Sequence, residues 1–253
     1  MSARRPLMVG NWKMHKTVVE TVAFVEALSA YALPLDAVDA IICPPFTALA
    51  AAHAALSGSG VGLGAQNMNW APQGPYTGEI SAPMLVELGV EWVVIGHSER
   101  RALFGELDLR VNEKVHAALE CGITPIVAVG ETAEVHAAGR ARHWVEAQVR
   151  AAFDGIEPEQ VARCVVAYEP IWAIGSGQPE SPPQADAIMG AIRAAVDGLA
   201  SARVLYGGSV KPDNVAAFVA QPNIDGGLVG GASLDPASFA ALLDGARKGA
   251  ASA

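Results

Sequence analysis

The chain has 253 residues, 51% of them hydrophobic, with a mean hydropathy of +0.29, enough apolar material for a sizeable core in one large domain spanning residues 1–253. A formal charge of −9 and a pI near 5.1 argue against a nucleic-acid partner, and no apolar run approaches the ~18 residues of a membrane span. Cys43, Cys121 and Cys164 are widely spaced in apolar surroundings and form no CxxC pair. They read as buried thiols of a reducing compartment and not as a disulfide framework or zinc site; with an N-terminus too short in apolar residues for a secretory leader, the expectation is a cytoplasmic protein.

In chain order, residues 7–10 form a short apolar strand that runs into Asn11, Trp12 and Lys13, and 17–32 follow with helical spacing. Residues 39–43 make a second strand stopped by Pro44 and Pro45, with a helix over 46–56; 61–65 make a third, followed by a long polar segment, 66–79. A fourth strand over 92–96 closes on His97, Ser98 and Glu99, and a fifth over 124–129 ends at Gly130 and Glu131, ahead of an Ala-rich helix over 141–153. The sixth, 164–168, is apolar on both faces, as a strand buried on both sides should be, and stops at Glu169. Pro170 then biases Glu169 toward extended geometry, so the acid stands where strand gives way to loop. The seventh, 203–206, ends at Gly207, Gly208 and Ser209, and a short eighth, 228–229, ends at Gly230 and Gly231.

Strands recurring at roughly 30-residue intervals, with helical stretches between them and no linker composition, predict a parallel α/β sheet. Eight units in this length favour closure into a (β/α)8 barrel over an open doubly wound sheet, whose dinucleotide fingerprint is missing after the first strand. In a barrel the polar and glycine residues that end the strands converge on one face.

Several of those residues can do chemistry. Asn11 and Lys13, two apart, point the same way toward the mouth, where the lysine can stabilise developing negative charge; the alternative is an exposed loop lysine. His97 precedes what reads as a helical turn, whose positive end disfavours the imidazolium, leaving a neutral hydrogen-bond donor; a packed core histidine is as good a reading in isolation. His15, His53, His116, His136 and His143 read as ordinary surface or packing residues. Glu169 is a candidate general base beneath a greasy flap, Pro170, Ile171, Trp172, Ala173, Ile174, Gly175, Ser176 and Gly177, though a loop-anchoring carboxylate fits this stretch equally well. The glycine pairs after the last two strands, with Ser209, let backbone amides approach a phosphate.

Along nearly its whole length the chain resembles the triosephosphate isomerase family. The resemblance is carried by GNWKMH (10–15), GAQNM (64–68), TGEIS (77–81), IGHSERR (95–101), VGET (129–132), AYEPIWAIG (167–175), YGGSV (206–210) and LVGGASL (228–234), in that order. It implies a TIM barrel, a homodimer, no cofactor, and interconversion of dihydroxyacetone phosphate with glyceraldehyde 3-phosphate in glycolysis and gluconeogenesis; no metal is expected, because no third ligand stands near His97 and Glu99. From the family come Glu169 as base, a neutral His97 as electrophile, Lys13 as cationic stabiliser, Asn11 as substrate partner, and Glu99 pairing with Lys13 or relaying protons. From it too come Gly175, Ser209, Gly230 and Gly231 as the phosphate cradle, and Gln66, Tyr76 and Thr77 on a loop reaching a partner subunit near its Asn11 and His97. The chain departs from the family pattern at Ser176, Gln178, Pro179 and Glu180 in the flap, at Ala128, and at Tyr76. Rival readings are another phosphate-barrel enzyme, a lyase or aldolase, and a barrel that binds a phosphometabolite without turning it over. A Schiff-base aldolase needs a lysine at a strand end, where only Lys13 is well placed.

Overall fold

The computed structural model describes residues 4–174 and 180–252. Its eight strands, β1 (Leu7–Asn11), β2 (Asp39–Cys43), β3 (Gly62–Ala65), β4 (Trp92–Ile95), β5 (Thr124–Val129), β6 (Val165–Tyr168), β7 (Arg203–Tyr206) and β8 (Gly226–Val229), pair in parallel in sequence order, and β8 closes on β1. Around them lie α1 (Val18–Leu28), α2 (Leu49–Leu56), α3 (Ala82–Glu87), α4 (Ser98–Phe104), α5 (Asp108–Glu120), α6 (Ala133–Ala137), α7 (Ala141–Ala152), α8 (Pro158–Val161), α9 (Pro182–Ala195), α10 (Val215–Val219) and α11 (Pro236–Ala250). This is the closed barrel that the alternation predicts.

Two apolar layers hold it. Inside the barrel, Leu7, Val9, Ile41, Val94, Ile126, Val165, Leu205 and Leu228 fill the lumen, while the residues between them in sequence, such as Met8, Ile42, Val93, Val166 and Val204, pack outward against the helices. Alternate residues of a strand face opposite sides, so a strand apolar throughout serves both layers. α1 starts one residue inside the sequence-based span because Thr17 is its N-cap, in a capping box with Glu20, and the helix ends at Ser29. β8 starts two residues earlier than hydrophobicity suggests, since Gly226 and Gly227 join the ladder opposite Leu7 and Met8.

One expectation needs correction. Cys121 is exposed, not buried, because it caps the C-terminal end of α5, whereas Cys43 and Cys164 are buried. In the segment 66–79, Met68 is buried in the chain's own core, and Trp70 packs edge-on to Tyr76 with the Arg110 guanidinium 4.3 Å from its ring centroid.

Candidate active site

Strand parity sets the floor of the site. Leu7 and Val9, Val165 and Ala167, Leu205, and Leu228 face the lumen, so the next residues of like parity, Asn11, Glu169, Gly207 and Gly230, face inward at the C-terminal mouth. Asn11, Lys13, His97, Glu169 and Ile174, with the loops after β7 and β8, line a cavity of about 230 Å³ there. A larger groove of about 910 Å³ lies outside the barrel between α1 and α2, but its lining is mostly apolar, with Glu26 as its one charged residue.

Glu169 is buried, and both its oxygens are engaged: Oε1 lies 3.0 Å from His97 Nε2, and Oε2 accepts the Ser98 N–H at 2.9 Å. Burial opposes its ionisation, yet His97 and the Ser98 N–H outweigh burial and hold the carboxyl below its ordinary pKa. Two glycines make room for this residue. A Cβ at Gly207 would come 2.8 Å from Glu169 Cγ, and one at Gly130 would overlap the Glu169 carbonyl oxygen at 1.8 Å.

His97 is the N-cap of α4, and its Nδ1 accepts the Glu99 N–H at 3.2 Å. Here the local electrostatics differ from what a helix terminus alone predicts. Burial lowers the imidazole's pKa, but the Glu169 carboxylate outweighs it and leaves the pKa raised. Geometry argues the other way, because a nitrogen that accepts an N–H has no proton of its own. We read the ring as neutral with its proton on Nε2, donating to Glu169, since charging it requires giving up the cap.

Lys13 is held in a conformation that side chains rarely adopt, at φ 52°. Its N–H donates to Asn11 Oδ1 at 3.1 Å and its carbonyl accepts from Gln66 Nε2 at 2.8 Å, so both backbone groups are pinned by side chains. The ammonium then sits 2.7 Å from Glu99 Oε1. Gln66 also donates to the Cys43 carbonyl at 2.9 Å, so this residue of the expected partner-contacting loop buttresses its own chain's site. Thr77 and Tyr76 are exposed on the same segment.

Across the cavity, Gly230 and Gly231 line the wall with Ser209, whose hydroxyl donates to the Ala173 carbonyl at 2.8 Å. That bond ties the loop after β7 to the turn Ile171–Ala173, which directly follows Glu169 and Pro170. Gly175, Ser176 and Gly177 lie outside the described residues, as do Gln178 and Pro179. Sequence reasoning missed the Ser98 amide, the Gln66 brace and the two glycines packed on Glu169; the Gly-Gly after β7 was the one visible signal among them.

The family model described as Triosephosphate isomerase matches residues 6–246. The chain belongs to that family. It is 53% identical to a triosephosphate isomerase of Chloroflexus aurantiacus, over 95% of this chain and 98% of the relative. It is 51% identical to one of Symbiobacterium thermophilum, over 94% and 96% respectively, and 50% identical to one of Herpetosiphon aurantiacus, over 95% and 98%. Members of one family at this identity share a fold, and the constellation at the mouth is the part of it that can do proton chemistry.

Proposed function

We propose that this chain is a triose-phosphate isomerase, interconverting dihydroxyacetone phosphate and D-glyceraldehyde 3-phosphate, with Glu169 as its base. The observation that carries the reading is a buried, ionised carboxylate facing an Nε2–H donor and an ammonium across one small cavity walled by glycine-rich loops. Moving a carbonyl by one carbon requires a proton to be taken from the carbon beside it and the resulting oxyanion to be stabilised.

Glu169, whose lowered pKa keeps it ionised at neutral pH, takes that proton. Substrate oxygens displace Glu169 from Nε2, and the His97 N–H and the Lys13 ammonium then bear the enediolate's charge. His97, neutral, passes a proton between the neighbouring oxygens, and Glu169 returns its proton to the adjacent carbon. The phosphate lies against the backbone of Gly230 and Gly231 and beside Ser209, with Asn11 orienting the substrate. Ile174, which lines the cavity at the end of the turn 171–173, helps keep water from an intermediate that would otherwise eliminate phosphate. The test is a coupled assay with glyceraldehyde 3-phosphate: turnover by the wild type and its loss in Glu169→Gln are expected, and an inactive wild type overturns the reading.

The working unit in this reading is a homodimer in the cytoplasm, serving glycolysis and gluconeogenesis. Among the described residues no helix is long and apolar enough to cross a membrane. Met14 and Phe104, 94% and 69% exposed, flank a second cavity of about 180 Å³ that Asn11, Lys13, Gln66, His97 and Glu99 share from the other side. The partner's loop, led by Thr77, is the expected occupant. A charge buried there, as in Thr77→Arg, should weaken association by several kcal/mol. Sedimentation that shows a fully active wild-type monomer at micromolar concentration would refute the dimer.

A further inference from the structure

Glu169 is held by its backbone as well as by His97 and Ser98, and that hold runs along the end of β5. The last registered pair of β5 and β6 is Val129 with Tyr168. Past it the two segments stay side by side: the Glu169 N–H donates to the Val129 carbonyl at 2.7 Å, and the Ile171 N–H to the Glu131 carbonyl at 3.2 Å. Between these two bonds Gly130 lies flat against the Glu169 backbone, where a Cβ would stand 1.8 Å from the carbonyl oxygen. Residues 129–131 are the track along which 169–171 run.

On its other edge this track has lost its strand. β4 and β5 pair only as far as Ile95 and Val127, and β4 turns off at Gly96, φ 75°. The C=O and N–H of a trans peptide point opposite ways, so with the Val129 carbonyl given to Glu169, the N–H of the same peptide, that of Gly130, faces the vacated edge. Two side chains stand in for the missing strand. Arg101 donates from Nη2 to the Ala128 carbonyl at 3.3 Å and from Nε to the Gly96 carbonyl at 2.7 Å, and Gln148 Oε1 accepts the Gly130 N–H at 2.8 Å. Gln148 is an unusual residue for its place: it is buried on α7, where the other buried residues are Val145, Val149 and Ala152. A buried glutamine needs a bond to make, and this one makes it to the peptide that carries Glu169.

We propose that Gln148 is a positioning residue for the base: its Oε1 fixes the peptide between Val129 and Gly130, and that peptide fixes the backbone of Glu169 and with it the 3.0 Å approach of the carboxylate to His97 Nε2. The proposal rests on the isomerase reading of Glu169. Gln148 does not line the cavity, so its effect passes through the peptide alone. Because the peptide is planar and rigid, its two hydrogen bonds are coupled. Without the glutamine oxygen the Gly130 N–H is left buried and unpaired, the peptide turns to find another partner, and the Val129 carbonyl turns with it, away from Glu169. The wall formed by Ser209, Gly230 and Gly231 belongs to the loops after β7 and β8 and has no bond to this peptide. Losing Gln148 therefore moves the base and leaves the phosphate side in place, which lowers kcat and spares KM.

The experiment compares wild type with Gln148→Met, which keeps the length of the side chain and removes its carbonyl oxygen, and with Gln148→Glu, which offers Gly130 an oxygen in either charge state. Two readouts are taken: steady-state kinetics, and the His97 ring N–H resonance in the proton NMR spectrum, assigned by its absence in His97→Gln. Gln148→Met should lower kcat about tenfold with KM within about twofold, and should shift or broaden the His97 resonance as its acceptor moves. Gln148→Glu should bring kcat back to within about threefold of wild type and the resonance back toward its wild-type position. Gln148→Asn, whose amide stops one methylene short, should show the same changes at smaller size and keeps the test open should Gln148→Met misfold. A wild-type kcat or an unmoved resonance in a folded Gln148→Met or Gln148→Asn overturns the proposal, since packing alone would lower the melting temperature and leave both readouts as they are. The resonance reports the place of Glu169 without turnover, so an inactive wild type would overturn the isomerase reading and leave the positioning to be judged by NMR.

Discussion

The two ends of the barrel handle buried charge in opposite ways. At the N-terminal end, Asp225 lies just before β8, with Oδ1 2.8 Å from Arg4 Nε and Oδ2 meeting the Val204 N–H at 2.7 Å and the Arg193 guanidinium. Nearby, Arg203 at the start of β7 reaches Asp39 at the start of β2, 2.6 Å away, and Arg5 meets the other Asp39 oxygen at 3.0 Å. Those carboxylates face guanidiniums, which do not lose their protons. At the C-terminal end, Glu169 faces an imidazole, and Glu131 accepts the Trp172 indole N–H and the Tyr168 hydroxyl. Carboxylates meet permanently charged guanidiniums below, and an imidazole, an indole and a phenol above. Stability and chemistry thus occupy different faces of one sheet.

Variants on the two faces should break different properties. The largest effect expected is from Glu169→Gln, which should lower kcat by about 10²- to 10⁴-fold with little change in the affinity of a phosphate ligand or in melting temperature, as read by steady-state kinetics and calorimetry. Asp225→Ala is its mirror image. By leaving the Arg193 guanidinium with backbone carbonyls but without its carboxylate, and the Val204 N–H without the Asp225 acceptor, it should cost about 3–5 kcal/mol in denaturant unfolding, while kcat of the folded fraction stays within about twofold. Gly207→Ala sharpens the contrast, because its new methyl meets Glu169 Cγ at 2.8 Å. Displacing the base should lower kcat by about 10- to 100-fold, with a smaller loss of stability. The smallest effect is from Gln66→Ala, which removes the brace on the Lys13 carbonyl. A cost near 1 kcal/mol, or about fivefold in kcat/KM, is expected from its hydrogen bonds.

The barrel was legible because each strand is a short apolar run closed by Pro, Gly or a polar residue, and that pattern survives without tertiary information. Glu169 was legible for the same reason, since Pro170 marks the strand end. What stayed hidden depends on contacts between distant segments. Gln66 pins Lys13 across the mouth, and the Ser98 amide reaches Glu169 from the neighbouring loop. Tyr168 reaches Glu131 because β6 is the neighbour of β5 in the closed sheet. Gly226 and Gly227 lie outside the apolar pair 228–229 that marks the eighth strand, and they pair as strand because closure of the barrel supplies a partner in β1. His136, read as ordinary, is part of the seat of Trp172.

The claim that the C-terminal face moves a carbon-bound proton through Glu169 can be tested without any coupling enzyme. The wild type and Glu169→Gln are incubated with dihydroxyacetone phosphate in D2O, and the carbon beside the carbonyl is followed by proton NMR. Wild type should introduce solvent deuterium there, because the base exchanges its proton before returning it, and Glu169→Gln should introduce it at least about 100-fold more slowly. Exchange by the variant at the wild-type rate would contradict the assignment of the base.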